Sequence, residues 1–151
     1  MKKMMPLQRI TEINETECQG LLYTLKMINE QRKIMKKSIS IIGVGGKMGI
    51  WFAKYFLANG FEVLGYDTDN EIKTKGVEKA NSLVGAVLQA DYVMLCTPTR
   101  RTPEIIRLIA KEMKRGTYLI EISSQKSKTI SALSKIPPKI NPICIHPMFG
   151  P

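Results

Sequence analysis

The spacing of apolar positions along the chain changes period several times, and each change marks an element. Residues 1–15 hold no sustained period and read as irregular. From Glu15 to about Met35, Leu21, Leu22, Leu25 and Ile28 fall on one helical face, and Asn14 with Glu17 three positions later offers a capping box. The pattern predicts one N-terminal amphipathic helix. Its apolar face suits packing against the domain that follows or against a second copy of the chain, as in a homodimer. Lys36-Lys37 then marks a boundary between an N-terminal segment, 1–37, and a domain over 38–151.

Beyond that boundary short β-branched runs alternate with helical stripes. Ser38-Ile39-Ser40-Ile41-Ile42 reads as a buried strand closed by glycines, and Met48, Trp51, Phe52, Tyr55 and Phe56 share the face of a helix that stops at Asn59-Gly60. Phe61 to Tyr66 is a second strand. Glu71 to Leu88 is less regular, with Val77, Leu83, Val84, Val87 and Leu88 able to stripe one helix or two short pieces. Tyr92 to Cys96 reads as a strand stopped by Thr97-Pro98, and Pro103 sits at N1 of a helix carrying Ile105, Ile106, Leu108, Ile109 and Met113 up to Gly116. Tyr118 to Ile122 and Ile143 to Ile145 are further strands, separated by a short Ser- and Lys-rich helix. Such alternation predicts an α/β fold with a Rossmann-type, doubly wound, mostly parallel sheet, preceded by the N-terminal helix.

Composition narrows the function classes. With 151 residues and 44% apolar content the chain can bury the core of one domain. No stretch approaches the roughly 18 apolar residues of a membrane span, and MKKMMPLQRI has no signal-peptide core, so a cytoplasmic address is expected, with no membrane partner. Cys18, Cys96 and Cys144 form no C-x-x-C pair, which argues against a disulfide framework and against a zinc site, and no metal is expected. The net charge of +10 is spread along the chain, which argues against a nucleic-acid partner; a positive field also favours a small anionic substrate.

In an open parallel sheet, ligands lie outside the carboxyl ends of the strands. The residues just past each strand are Gly43 to Gly49, Asp67, Thr97-Pro98, Ser123-Ser124 and His146, the only histidine of the chain. Gly43-Val44-Gly45-Gly46-Lys47-Met48-Gly49 joins a strand to a helix, as a dinucleotide-binding turn must, so that backbone N–H groups and the helix dipole meet a pyrophosphate. The fit to G-x-G-x-x-G is imperfect, because Met48 stands at the third glycine position when the motif starts at Gly43. Asp67 lies near the spacing at which a carboxylate accepts from ribose hydroxyls and repels a 2′-phosphate, so NAD is expected over NADP. Pro98 lacks an N–H and leaves the chain beside Thr97 free to border the cofactor. Ser124 is also placed to cap the following helix, a role compatible with a ligand contact.

The stretches IIGVGGKMG, ADYVMLCTP, EISSQKS and HPMFGP together resemble the nucleotide-binding half of prephenate dehydrogenase, over about residues 38–151. The last motif is the most specific of the four; related imine and β-hydroxy-acid reductases lack it. The resemblance implies His146 as catalytic histidine and Ser124 as the serine that positions the substrate hydroxyl or the nicotinamide. It also implies the Gly43–Gly49 turn with Asp67 as the NAD site, and prephenate or the closely related arogenate as substrate. An imidazole of ordinary pKa, about 6.5, is neutral near pH 7 and suited to accept the hydroxyl proton. Lys126 matches a lysine common in the family, with no role implied. Val44 departs from a glycine frequent in the family's turn. Family members continue past HPMFGP into a helical domain that dimerises and supplies arginine to the substrate, so the chain as given is expected either to act as part of that enzyme or to bind NAD without turnover. Fusions to chorismate mutase occur in the family, but residues 1–37 hold no mutase active-site residues.

Overall fold

The computed structural model describes residues 12–13, 37–68, 71–148 and 151. The expected helix from Glu15 to Met35, with its capping box and Cys18, lies outside them. Within the stretch read as irregular, Glu12–Ile13 form a short strand, β1. Six strands build the main sheet: β2 (Ser38–Ile42), β3 (Glu62–Tyr66), β4 (Glu78–Lys79), β5 (Tyr92–Leu95), β6 (Tyr118–Glu121) and β7 (Asn141–Cys144). Their order is β4-β3-β2-β5-β6-β7, and every pairing is parallel. The chain winds outward from β2 to β4, returns to β5 on the other side and winds outward again, so the topology reverses between β2 and β5. A last strand, β8 (His146–Pro147), leaves this sheet and pairs in parallel with β1, Glu12 opposite His146.

Alternation along the strands builds two cores. Ile39 and Ile41, Tyr92 and Met94, and Ile120 face one side; Ile42, Val93, Leu95 and Leu119 face the other. Helix α1 (Lys47–Ala58) covers the first face with Phe52, Ala53 and Phe56. Helices α2 (Leu83–Val87), α3 (Thr102–Ile109) and α4 (Ser127–Leu133) cover the second with Val87, Ile106, Ile109 and Leu133. The doubly wound α/β fold expected from the sequence is therefore the observed one. Among the described residues no helix is long and apolar enough to cross a membrane.

The differences lie where tertiary packing overrides local pattern. Between Glu71 and Leu88 only α2 is helical; Gly76 at φ +93 turns the chain, and Val77 packs against the bare backbone of Gly65 instead of joining a helical stripe. β4 precedes α2 as an edge pair of charged residues, without an apolar signal. Helix α3 ends at Ile109 rather than near Gly116, though Met113 beyond it is fully buried, and Pro103 is its second residue behind Thr102. β7 starts two residues earlier than the apolar run Ile143–Ile145, because pairing with Tyr118 to Glu121 recruits Asn141 and Pro142; proline is tolerated on this edge strand.

At the amino ends of the strands Asp91 is a hub. Its carboxylate accepts from the Ser38 amide (3.0 Å), the Ser38 hydroxyl (3.2 Å) and the Lys114 ammonium (2.8 Å), tying β2 and β5 to the turn before β6. Partial burial pushes its pKa up, but Lys114 and the Ser38 donors outweigh that and hold it below the ordinary 3.8. A depressed carboxylate stabilises the fold above its unfolded value and loses that contribution as pH falls through the folded one. Urea denaturation at a series of pH values should thus show Asp91→Asn less stable than wild type near neutral pH, with the gap closing below 3.8.

Glycine sets the other critical contact. A Cβ at Gly49 would sit 2.1 Å from the Gly43 carbonyl oxygen and 2.6 Å from the Val44 Cα, so the first turn of α1 lies directly on the preceding loop. Gly49→Ala must push backbone apart and should cost about 1–3 kcal/mol in urea denaturation, the usual range for overpacking; wild-type stability in this variant would refute the close-packing account.

Candidate functional site

The turn after β2 is held from both sides. Gly43 has φ +83, and a Cβ there would lie 2.6 Å from the Cys96 carbonyl oxygen, so only glycine fits where β2 and β5 part. Its N–H donates to the Tyr66 carbonyl at 2.8 Å, and the Gly46 N–H donates to the Gly43 carbonyl at 3.2 Å. Gly46 caps α1 in an extended conformation without a side-chain bond. The first-turn N–H groups of α1 have no intrahelical acceptors, which makes this end a receptor for anionic oxygen. The position packed directly against the loop is Gly49 and not Met48, which stands at the nominal third position and lines the cleft beside it.

Asp67, at the end of β3, accepts from the Gly45 N–H at 2.9 Å. The carboxylate thus both holds the turn and stands in the cleft beside it. That cleft has a volume of about 450 Å³, and Gly43, Gly46, Lys47, Met48, Asp67, Thr97 and Pro98 all line it. Gly45 and Gly49 do not line it: the first is tied to Asp67 and the second is buried under the turn. Thr97 and Pro98 are fixed in a tight reversal into α3, with Thr97 Oγ1 and Thr102 Oγ1 2.9 Å apart and the Arg101 N–H donating to the Pro98 carbonyl at 2.8 Å.

The far wall comes from residues that the apolar pattern places only in helical stripes: Ile105 and Leu108 of α3 line the cleft with Leu83, Arg101 and Glu104, and Leu108 is 51% exposed. Ile106 and Ile109 are fully buried on the core side, and Ile105, partly buried, packs against the core as well as lining the cleft. Cys96 lies on the cleft wall, and burial pushes its thiol pKa far up, which favours the neutral thiol.

Ser124 and His146 do not line this cleft. They follow the next two strands on the same carboxyl edge: Ser124 is exposed in the loop after β6, and His146 is half-buried at the start of β8. Ser124 does not cap α4, whose N-cap is Lys126. Beneath both lies Glu121, fully buried at the end of β6; it opens the EISSQKS stretch, which implies no role for it, and a lone acid in an apolar strand is the further signal. Its carboxylate accepts from the Ser123 N–H, from Lys126 Nζ at 3.0 Å and from the Cys144 thiol at 3.1 Å. Burial, with the Glu121 carboxylate beside it, pushes the Cys144 thiol up to about 11, so it stays protonated as a donor.

The cleft suits an elongated ligand with an anionic middle. It offers the bare backbone of Gly43 and Gly46 on one wall, the N-terminal end of α1, a carboxylate to one side and apolar Ile105 and Leu108 opposite.

Known proteins bear on this geometry. Residues 52–151 match the family described as prephenate dehydrogenase, nucleotide-binding domain. A probable arogenate/prephenate dehydrogenase of Methanocaldococcus jannaschii is 34% identical over 120 residues, which cover 76% of this chain and 27% of that protein. The chain thus spans little more than a quarter of this relative's length. Among solved structures, a semialdehyde dehydrogenase NAD-binding protein from Cupriavidus necator, in complex with calcium and NAD, is similar at 24% identity with a TM-score of 0.60, covering 73% of this chain and 41% of that one. Synechocystis arogenate dehydrogenase is similar at 17% identity with a TM-score of 0.58, over 65% of this chain and 37% of that one. Both structures show the fold, and the family match over residues 52–151 covers α/β elements from inside α1 to the HPMFGP motif. The chain therefore belongs to the prephenate dehydrogenase family and carries its nucleotide-binding domain.

Proposed function

We propose that this chain is the NAD-binding part of an enzyme that oxidatively decarboxylates prephenate or its amino counterpart arogenate. The observation that carries the reading is one carboxyl edge holding, in order, Asp67 after β3, the glycine turn after β2, Thr97 after β5, Ser124 after β6 and His146 after β7. In this reading the N–H groups at the start of α1 bind the pyrophosphate, and Asp67 accepts from the ribose hydroxyls. That carboxylate disfavours a 2′-phosphate, hence NAD over NADP. Leu83, Ile105 and Leu108 give the adenine an apolar wall.

Bound NAD supplies a hydride acceptor; the chain's own residues handle the proton and the geometry. The His146 imidazole accepts the proton of the ring hydroxyl as that carbon becomes carbonyl-like, and Ser124 orients the hydroxyl or the nicotinamide. The ring carbon bearing the hydroxyl gives up its hydrogen as hydride, the carbon–carbon bond to the ring carboxylate breaks, carbon dioxide leaves and the bond's electron pair enters the ring, which becomes aromatic; His146 then returns the proton to the resulting phenolate oxygen. A net charge of +10 attracts an anionic substrate.

Calorimetric titration should show NAD binding with a Kd below about 1 mM, and NADP binding at least tenfold more weakly; no heat with NAD at that concentration overturns the reading. In steady-state assays with prephenate and with arogenate, His146→Asn should lower kcat by about 10²–10⁴-fold, the usual contribution of an acid–base group. Turnover surviving within about tenfold would remove His146 from the chemistry.

A further inference from the structure

We propose that Glu121 and Lys126 are positioning residues, a buried ionic clamp that sets where Ser124 and His146 stand relative to each other. The pair is deeply enclosed: the Glu121 side chain is 0% exposed and that of Lys126 12%. Such a pair is a poor device for stability alone, because desolvating two charges costs about as much as their attraction returns, and an apolar pair of the same volume often does as well. What distinguishes this pair is the backbone it grips. Glu121 Oε1 takes the N–H of Ser123, the residue before Ser124. Lys126 Nζ, 3.0 Å from Glu121 Oε2, donates at 2.5 Å to the carbonyl of Ile145, the residue before His146.

The grip on Ile145 is complete. Its N–H donates to the Glu121 carbonyl at 2.9 Å, so both polar groups of this residue are bound by the two members of the clamp. The plane of the peptide joining Ile145 to His146 is thereby set at the point where the chain leaves the six-stranded sheet for β8. On the other side, Ser123 is pinned again by its hydroxyl, 3.2 Å from Thr129 Oγ1 and donating to the Gln125 carbonyl at 3.3 Å. Cys144, opposite Glu121 in the β6–β7 register, fills the remaining site on Oε2 with its thiol. One buried carboxylate and its lysine thus fix the backbone immediately before each of the two residues. A displacement of about 1 Å at such positions is enough to cost a reaction about a hundredfold.

The clamp takes its meaning from the reading of His146 given above, so its test measures ring position and not turnover. His146 is the only histidine in the chain, and selective ¹⁵N-histidine labelling therefore reports this ring alone. Lys126→Met leaves the Glu121 charge buried and unpaired and risks unfolding; the double variant Glu121→Gln/Lys126→Met removes both charges and should recover thermal stability. In whichever variant folds, the His146 imidazole and Ser124 amide signals should shift or split into several conformers, while amides of β2, β3 and α1 stay in place. Unmoved His146 signals in a folded variant overturn the proposal. So does a change spread evenly over the sheet, which is what a merely structural pair would give. If neither variant folds, the wild-type protein decides: a nuclear Overhauser contact between the Lys126 ammonium and the His146 amide is expected, and its absence refutes the clamp. Turnover surviving His146→Asn would remove the catalytic reading without altering any of these signals, so the two failures are separable.

Discussion

The carboxyl edge of this protein depends on how closely the first turn of α1 approaches the Gly43 carbonyl. With no Cβ at Gly49 the helix axis starts almost on top of the loop, and with none at Gly43 the loop tucks against Cys96, where β2 and β5 diverge. These two contacts aim the helix end at the cleft. They also bring the Gly45 N–H within reach of Asp67 across the β2–β3 pairing. A side chain at either glycine would move the turn, and with it the helix end proposed above to meet a phosphate. The conformation of the turn is a packing result.

Polar ties then hold the sheet at its two ends, and they differ in kind. Asp91 at the amino end is 40% exposed with Lys114 39% exposed, so its ion pair is screened and contributes little beyond its amide and hydroxyl donors. Glu121 at the carboxyl end is wholly enclosed, where a single lost partner would leave a bare charge in the core. The exposed hub stitches strand starts together; the buried one acts where the backbone passes into Ser124 and His146. Depth makes the second tie exacting in geometry.

Much of the fold was legible because its signals are local. β2, β3, β5 and β6 announce themselves as short β-branched or apolar runs, and α1 by its aromatic stripe and the Asn59-Gly60 stop, where Gly60 does take φ +80. β4 had no such signal, since two charged residues become a strand only by pairing with Leu64 and Gly65. The pattern over Glu71 to Leu88 leaves one helix or two short pieces open, and only Leu83–Val87 is helical because Val77 belongs, in three dimensions, to the gap beside Gly65. At the site, the glycine turn and Asp67 could be read from spacing. Ile105 and Leu108 could not be told from core residues, since a stripe shows which side of a helix is apolar and not what that side faces.

By itself the amino-acid sequence determined which residues stand at strand ends: strand period, glycine spacing and the motif around His146 are properties of neighbours along the chain. Only the tertiary structure decided which of those ends share a wall, that Asp67 reaches back to Gly45, and that Glu121 and Lys126 close on Ile145, nineteen residues from the lysine. The physical reason is that these contacts join strands adjacent in the sheet but distant along the chain. Parallel pairing requires each connection to cross back over a sheet face, so a residue's partner at the carboxyl edge comes from another crossover and leaves no trace in its own local pattern.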